Sequence, residues 1–152
     1  MSPFRILIAA TMMTFTTAPV ARPPGLGQAE PKAPVFSLNG DAAIVTVLIK
    51  PDKTADFELV LGRLKEALAK SENTKRKEQA AGWRIFKSAQ MAQGNAVYVM
   101  RIDPVIKGEE YDITRLIAEA FPVEVQDLFV KYKDAFAGRG VTELTPLISM
   151  AP

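Results

Sequence analysis

Hydrophobic positions along the chain alternate between strand-like and helix-like spacing. An eight-residue apolar run rich in β-branched residues predicts a first strand over 42–49. The first helical stripe follows Thr54, a candidate N-cap, and consists of Phe57, Val60, Leu61, Leu64 and Leu68. A second strand within 79–89, a hairpin turn at Gly94-Asn95 and a third strand over 96–102 come next.

The remaining pattern predicts a second helical region and a final strand. Asp112 is its candidate cap, and Pro122 breaks it because proline interrupts a helix or starts a new one. Gly138 and Gly140 are interpreted as the end of the helix that follows Pro122. In the tail, 141–150, the inward-facing positions are Leu144, Ile148 and Met150, and Pro146 confines the segment to an edge strand or a bulge.

This order of elements, β-α-β-β-α-β, is that of a ferredoxin-like α+β sandwich over 42–150. The strands 42–49 and 96–102 are apolar on both faces, whereas an antiparallel sheet with one solvated face should alternate. The helices suffice to cover one face. We therefore expect a homodimer packed sheet against sheet with its helices outside, a dimeric α+β barrel. The alternative is that these runs are only β-branched strand formers that stay partly exposed.

The segment before the predicted domain has the features of an export signal. Arg5 is the only charge in the first 21 residues, and a short apolar run leads into small residues. We predict a signal peptide over 1–29 and a mobile arm over 30–41, with cleavage after Ala18, Ala21 or, preferably, Ala29. The protein is then exported, periplasmic or secreted, with no integral membrane segment after signal removal. A membrane anchor is the alternative, although the run is shorter than the roughly 20 residues that span a bilayer.

The amino-acid composition excludes several kinds of catalytic and metal site. The 152 residues include no cysteine and no histidine, which excludes a catalytic thiol, a disulfide, a Cys/His zinc site, a Ser-His-Asp triad and a His-ligated haem. The formal charge of +2 becomes zero once residues 1–29 are left out, so charge gives no reason to expect nucleic acid as a partner. Glu109, Glu110 and Asp112 lack the spacing of a calcium loop, and we expect no metal and no cofactor.

Two aromatic residues are the candidates for ligand binding. Trp83, the only tryptophan, is placed to stack on an aromatic ligand, with Tyr98 on the third strand. The structural alternative for Trp83 is a place in the core or in a dimer interface. Lys75-Arg76-Lys77 is interpreted as a solvated basic loop.

Three polar residues are weak candidates for catalysis. Arg101 could orient an anionic or phenolate ligand, or pair with an acid at the rim or across a dimer. Tyr111 could donate a proton at a pocket mouth, or pack against the next helix. Asn95 is most simply a turn residue.

Several segments together resemble the dimeric α+β-barrel superfamily, specifically antibiotic-biosynthesis-monooxygenase-like domains. The resemblance covers about 42–150 and rests on topology and pattern in Ala-Ile-Val-Thr-Val-Leu-Ile-Lys-Pro from Ala43, the first helix, Gly82-Trp-Arg-Ile-Phe and the strand after Asn95. The second half, from Tyr111 to Gly138, also resembles exported bacterial proteins of unknown function. The resemblance implies a cofactor-independent oxygenase, a haem-degrading enzyme or a member without established activity. Haem-handling branches generally use a histidine, which is absent here.

Two functions therefore stay open. One is a dimeric binding or structural module for a small apolar or aromatic ligand or a partner protein. The other is a cofactor-independent monooxygenase-like enzyme acting on a small phenol or quinol. An enzyme requires polar groups that converge on a closed pocket, such as Tyr111 with Asn95 or Arg101, whereas a binding module requires a pocket without them.

Overall fold

The chain forms four strands and four helices in the computed structural model, which describes residues 33–150. In chain order they are β1 (Ala42–Ile49), α1 (Thr54–Lys70), α2 (Thr74–Gly82), β2 (Trp83–Lys87), β3 (Ala96–Ile102), α3 (Ile113–Ala120), α4 (Val125–Ala135) and β4 (Phe136–Leu144). A single 3-10 turn, Pro51–Lys53, joins β1 to α1. The predicted bounds of β1 and β3 are confirmed.

The strands pair into one antiparallel sheet in the order β2-β3-β1-β4. This order, with the last strand at an edge beside the first, is that of the ferredoxin-like α+β fold, which confirms the predicted fold class. The helical region after β3 is interrupted between Ala120 and Val125, as Pro122 predicts.

The core lies between one face of the sheet and the helices. Alternate residues of β1 face it, and Ala43, Val45, Val47 and Ile49 are all buried. α1 contributes Phe57, Val60, Leu64, Ala67 and Leu68, the predicted stripe with Ala67 in place of the partly buried Leu61. The opposite face of the sheet keeps apolar residues at or near the surface, including Ile44, Leu48, Val97 and Val99.

Of the two predicted N-caps, Asp112 is confirmed and Thr54 is not. The Asp112 carboxylate accepts a hydrogen bond from the Arg115 backbone N–H at 3.0 Å, so it caps α3 as expected. Thr54 is instead the first residue of α1, with Lys53 at the cap position. Its hydroxyl lies 3.5 Å from the Pro51 carbonyl, because the preceding 3-10 turn already leads the chain into the helix.

Two features between α1 and β3 correct the sequence analysis. Residues 74–82 form α2, where a loop and the start of a strand were expected, and Asn73 caps it by accepting from the Lys75 N–H at 2.9 Å. The hairpin turn is centred on Gln93-Gly94, which have φ of 52° and 75°. That pair of positive φ values is typical of the type I′ turn, and Asn95 follows it, bridged to Ala92.

The end of the domain also differs from the prediction. α4 stops at Ala135, and β4 begins at Phe136, so Gly138 and Gly140 lie within a strand and Pro146 lies after it. Both glycines pair with β1, so they lie inside the strand and do not mark a helix end. Leu144, Ile148 and Met150 do not point inward: they are 39%, 72% and 87% exposed.

The N-terminal predictions fall partly on described residues. The signal peptide over 1–29 lies outside them, and export stays a prediction. Residues 33–41, most of the segment expected to be a mobile arm, pack against the domain: Leu38 is fully buried. The Glu110 carboxylate holds this segment by accepting from the N–H groups of Val35 and Phe36 at 2.7 and 3.0 Å.

Candidate functional site

A groove of about 500 Å³ opens between the helices and the β2 side of the sheet. Its volume lies within the range of small-molecule sites. α1, α2, β2 and β3 all contribute to its wall. The apolar lining consists of Leu61, Leu64, Leu68, Ala80, Trp83 and Ile85.

The local sequence explains why this groove is open. On α1, Leu61, Gly62, Lys65 and Leu68 recur at helical spacing and face the groove together. Gly62 has no side chain, and an added Cβ would meet nothing within 4 Å. The helix therefore leaves a gap at the point where most residues would fill it.

β2 supplies the opposite wall by simple alternation. Trp83, Ile85 and Lys87 line the groove, whereas the residues between them, Arg84 and Phe86, are exposed. Trp83 and Tyr98, the two predicted ligand-binding residues, thus lie on one cavity, because β2 and β3 are adjacent with Lys87 opposite Tyr98.

Three of the residues that line the groove, Glu58, Lys87 and Tyr98, form a polar cluster. The Glu58 carboxylate accepts from the Tyr98 hydroxyl and from the Lys87 ammonium, each at 2.7 Å and each to the same oxygen. The Lys87 ammonium also lies 5.6 Å from the centre of the Tyr98 ring. Tyr98 is anchored further by Phe57, whose ring meets it edge-on at 4.8 Å between centroids.

The three groups of this cluster hold one another in their ordinary charge states. Hydrogen bonds from Lys87 and from Tyr98 lower the pKa of Glu58. Burial, and then the bond to Glu58, raises the pKa of Tyr98, while the bond to Glu58 raises the pKa of Lys87. At neutral pH the cluster is a carboxylate, an ammonium and a phenol, and no member is shifted toward the pKa that a general base or an amine nucleophile needs.

Trp83 separates the groove from a second, much smaller space. That inner cavity, about 20 Å³, is lined by Trp83 together with Tyr111, Tyr132 and Arg139. The Trp83 and Tyr111 rings are 5.5 Å apart. Trp83 Nε1 is the one buried side-chain polar atom of residues 33–150 with no hydrogen-bond partner.

The three candidate catalytic residues lie in different places. Tyr111 is 1% exposed, and its hydroxyl accepts from the Ile106 N–H at 2.8 Å, so it belongs to the core and not to the mouth of the groove. Arg101 projects from the opposite face of the sheet, beside Arg84 on β2, and pairs with Asp103. Asn95 ends the hairpin turn, where its amide donates to the Gln93 carbonyl.

The sequence analysis missed a buried ionic network centred on Arg76. Arg76, expected in a solvated loop, is 7% exposed and grips both oxygens of Glu119 at 3.0 and 2.8 Å. Its other nitrogen donates to Gln79 at 2.7 Å and to Glu109 at 3.1 Å. Gln79 is fully buried and donates to the Glu110 carbonyl. The network joins α2 to α3 and to the loop before it.

The Glu110 side chain is the other buried charge near this network. Burial acts to raise its pKa, but the backbone N–H groups of Val35, Asp112 and Phe36, with the nearby Arg115 charge, outweigh it, so the pKa is lowered. Glu109 and Glu110 thus serve as ion-pair and backbone acceptors. Within 33–150 no group of three or more acidic, cysteine or histidine side chains is arranged to hold a metal ion.

Comparison with solved structures finds a likeness to a dimeric ferredoxin-like protein of unknown function from Thermobifida fusca YX. The two share 13% identity, the match covers 74% of this chain and 96% of that one, and the TM-score is 0.34. No protein-family model and no curated protein matches the chain. Because this TM-score is low, we assign the ferredoxin-like fold from the strand order of the chain and not from this likeness. Among residues 33–150 no helix has the length and apolar character needed to cross a membrane.

Proposed function

We propose that this protein is a binding module that holds a small apolar or aromatic molecule in the groove between α1 and β2. One observation carries the proposal: a cavity of about 500 Å³ has a mostly apolar wall that includes the only tryptophan of the chain. An aromatic face in such a wall offers a large contact area to a flat apolar ligand.

The alternative, a monooxygenase-like enzyme acting on a phenol or quinol, has less support. Tyr111, Arg101 and Asn95 do not converge on the groove, and none of them is in its wall. Of the polar groups that do line it, Glu58, Lys87 and Tyr98 satisfy one another, and the fourth, Lys65, is an exposed lysine. Such an arrangement suits holding a molecule more than transferring a proton to or from it.

Gly62→Leu tests the binding proposal by filling the groove. Leucine is a better helix former than glycine by about 0.8 kcal/mol, and the added side chain meets open space, so folding is preserved. The probe is N-phenyl-1-naphthylamine, a neutral aromatic molecule whose binding is detected by energy transfer from Trp83. We expect saturable binding to the wild type and at least about tenfold weaker binding to the variant.

Ala55→Leu is the matched control, since it adds the same side chain to an exposed position of α1 outside the groove. It should bind the probe as the wild type does. The proposal fails if the wild type does not bind the probe, or if Gly62→Leu binds it equally well. Oxidation of a hydroquinone in air that is lost in Tyr98→Phe would instead favour the enzyme.

We also propose that the protein works as a homodimer joined through the open face of its sheet. That face presents Ile44, Leu48, Val97 and Val99 near the surface, with Phe86 52% exposed beside them. Burying these apolar side chains is favourable, and a second copy supplies the same surface in a two-fold arrangement.

Val99→Lys tests this interface, because Val99 pairs with Thr46 and Phe86 at the middle of the open face. The added charge next to Arg101 should leave the fold intact and convert the dimer to a monomer. Val123→Lys, at a 92% exposed position, is the control and should remain dimeric. Light scattering during gel filtration gives the mass, and a monomeric wild type would end this proposal.

A further inference from the structure

We infer that the ligand of the groove carries a single negative charge next to its apolar body. This inference rests on the proposed binding function and specifies the chemistry of the molecule bound: an aromatic or aliphatic body with one anionic oxygen group, such as a carboxylate or a sulfonate. Lys65, on the groove face of α1, is the residue that selects it.

The charges in the groove wall do not balance. Lys65 and Lys87 are cationic, and Glu58 is the only acid among the lining residues. Lys87 is already committed to Glu58 through a 2.7 Å ion pair. Lys65 has no ion-pair partner within residues 33–150, so one positive charge at the groove lacks a counter-charge. An anion is the complementary ligand.

The hydrogen-bonding capacity of the wall points the same way. Glu58, its one carboxylate, already accepts from two side chains at a single oxygen. The Lys65 ammonium, by contrast, has no hydrogen-bond partner among residues 33–150, so its donors are free for a ligand at the groove. A ligand that brings acceptor oxygens matches this surplus, whereas a cationic or donor-rich ligand does not.

The position of Lys65 suits an amphiphile. Lys65 lies between Leu61, Gly62 and Leu68 on the same helix face, so its ammonium is offered at the edge of an apolar wall. Its methylene stem can extend the apolar surface while its charge stays near water. The body of the ligand then lies along Trp83 and Leu61, with its anionic group at the exposed rim.

A matched pair of probes tests the inference. N-phenyl-1-naphthylamine and 1-anilinonaphthalene-8-sulfonate share one skeleton, and only the second carries a negative charge. We expect the wild type to bind the sulfonate more tightly than the neutral probe. Lys65→Gln should weaken sulfonate binding about three- to tenfold and leave the neutral probe unchanged. The preference should also shrink as salt is raised.

Two controls keep the outcomes separate. Lys133→Gln removes an exposed lysine on α4, outside the groove, and should not change either affinity. Gly62→Leu should weaken binding of both probes at least about tenfold. If the neutral probe binds in a Gly62-dependent way but the sulfonate binds no better, or Lys65→Gln has no effect, the charge inference is wrong and the binding proposal stands. If neither probe binds, both are wrong.

Discussion

Arg76→Ala should lower the free energy of unfolding by about 3 kcal/mol, because it removes the ion pairs of a buried arginine and leaves the buried Gln79 amide oxygen without its donor. This value is at the lower end of the roughly 3–5 kcal/mol that removing one partner of a buried ion pair costs. The reason is that the Glu119 side chain is 47% exposed and can be hydrated once Arg76 is gone. Gln79, fully buried, cannot be hydrated. Urea denaturation followed by circular dichroism measures the change.

Lys77→Ala is the control for this prediction. Lys77 is the neighbouring basic residue of α2 but is exposed, so its loss should change stability by no more than about 0.5 kcal/mol. Arg76→Lys should fall between the two, because lysine keeps the charge but cannot grip both oxygens of Glu119. Equal effects at the two neighbouring positions would refute the structural role assigned to Arg76.

Gly82→Ala and Gly62→Ala should change stability in opposite directions. A Cβ at Gly82 would lie 3.0 Å from the Pro104 carbonyl oxygen and 3.1 Å from backbone atoms of Asp103. Those atoms belong to main chain that is itself bonded to Gly82, through the Asp103 N–H, so they cannot easily move away. We expect Gly82→Ala to cost about 2 kcal/mol through overpacking.

Gly62→Ala should instead gain about 0.8 kcal/mol, because the same methyl group meets open space within a helix. The two variants should differ in melting temperature by roughly 10 °C in thermal unfolding followed by circular dichroism. Similar melting temperatures would mean that the main chain at Asp103 and Pro104 yields to the added methyl group.

The sequence was sufficient to predict the elements whose buried residues are apolar and regularly spaced. β1 and β3 were predicted with the bounds they have, because each is a short, mostly apolar run rich in β-branched or aromatic residues and is bounded by turn or proline signals. Asp112 was recognised as a cap because a short acidic side chain preceded a helical stripe. The same logic gave the strand order, since few arrangements satisfy this order of elements.

Hydrophobic periodicity could not reveal α2. The buried face of this helix is formed by Arg76 and Gln79, one turn apart, so its inward residues are polar. Their partners, Glu109 and Glu119, are distant in sequence, and only the folded chain brings them together. A polar segment after a helix carries no local sign of such partners.

The sequence analysis identified some of the residues that line the groove and missed others. Trp83 and Tyr98 were singled out as aromatic residues on adjacent strands, and they do share the cavity. Lys65 and Gly62 were missed, although their spacing with Leu61 on one helix face was a usable signal. For Tyr111 the sequence left two roles open, and the structure fits packing, since the side chain is buried and its hydroxyl accepts from the Ile106 N–H.

The strand order also governs when the fold can be completed. β1 is made first but lies between β3 and β4, and Ala42 pairs with Leu144, almost the whole domain away. Until the last strand has emerged, β1 lacks one of its two neighbours and the sheet has an unpaired, strongly apolar edge. Contacts this distant in sequence form slowly because a long loop must close first. The sheet therefore stays unfinished until β4 has emerged, and during that time its unpaired edge is open to chaperones and to aggregation.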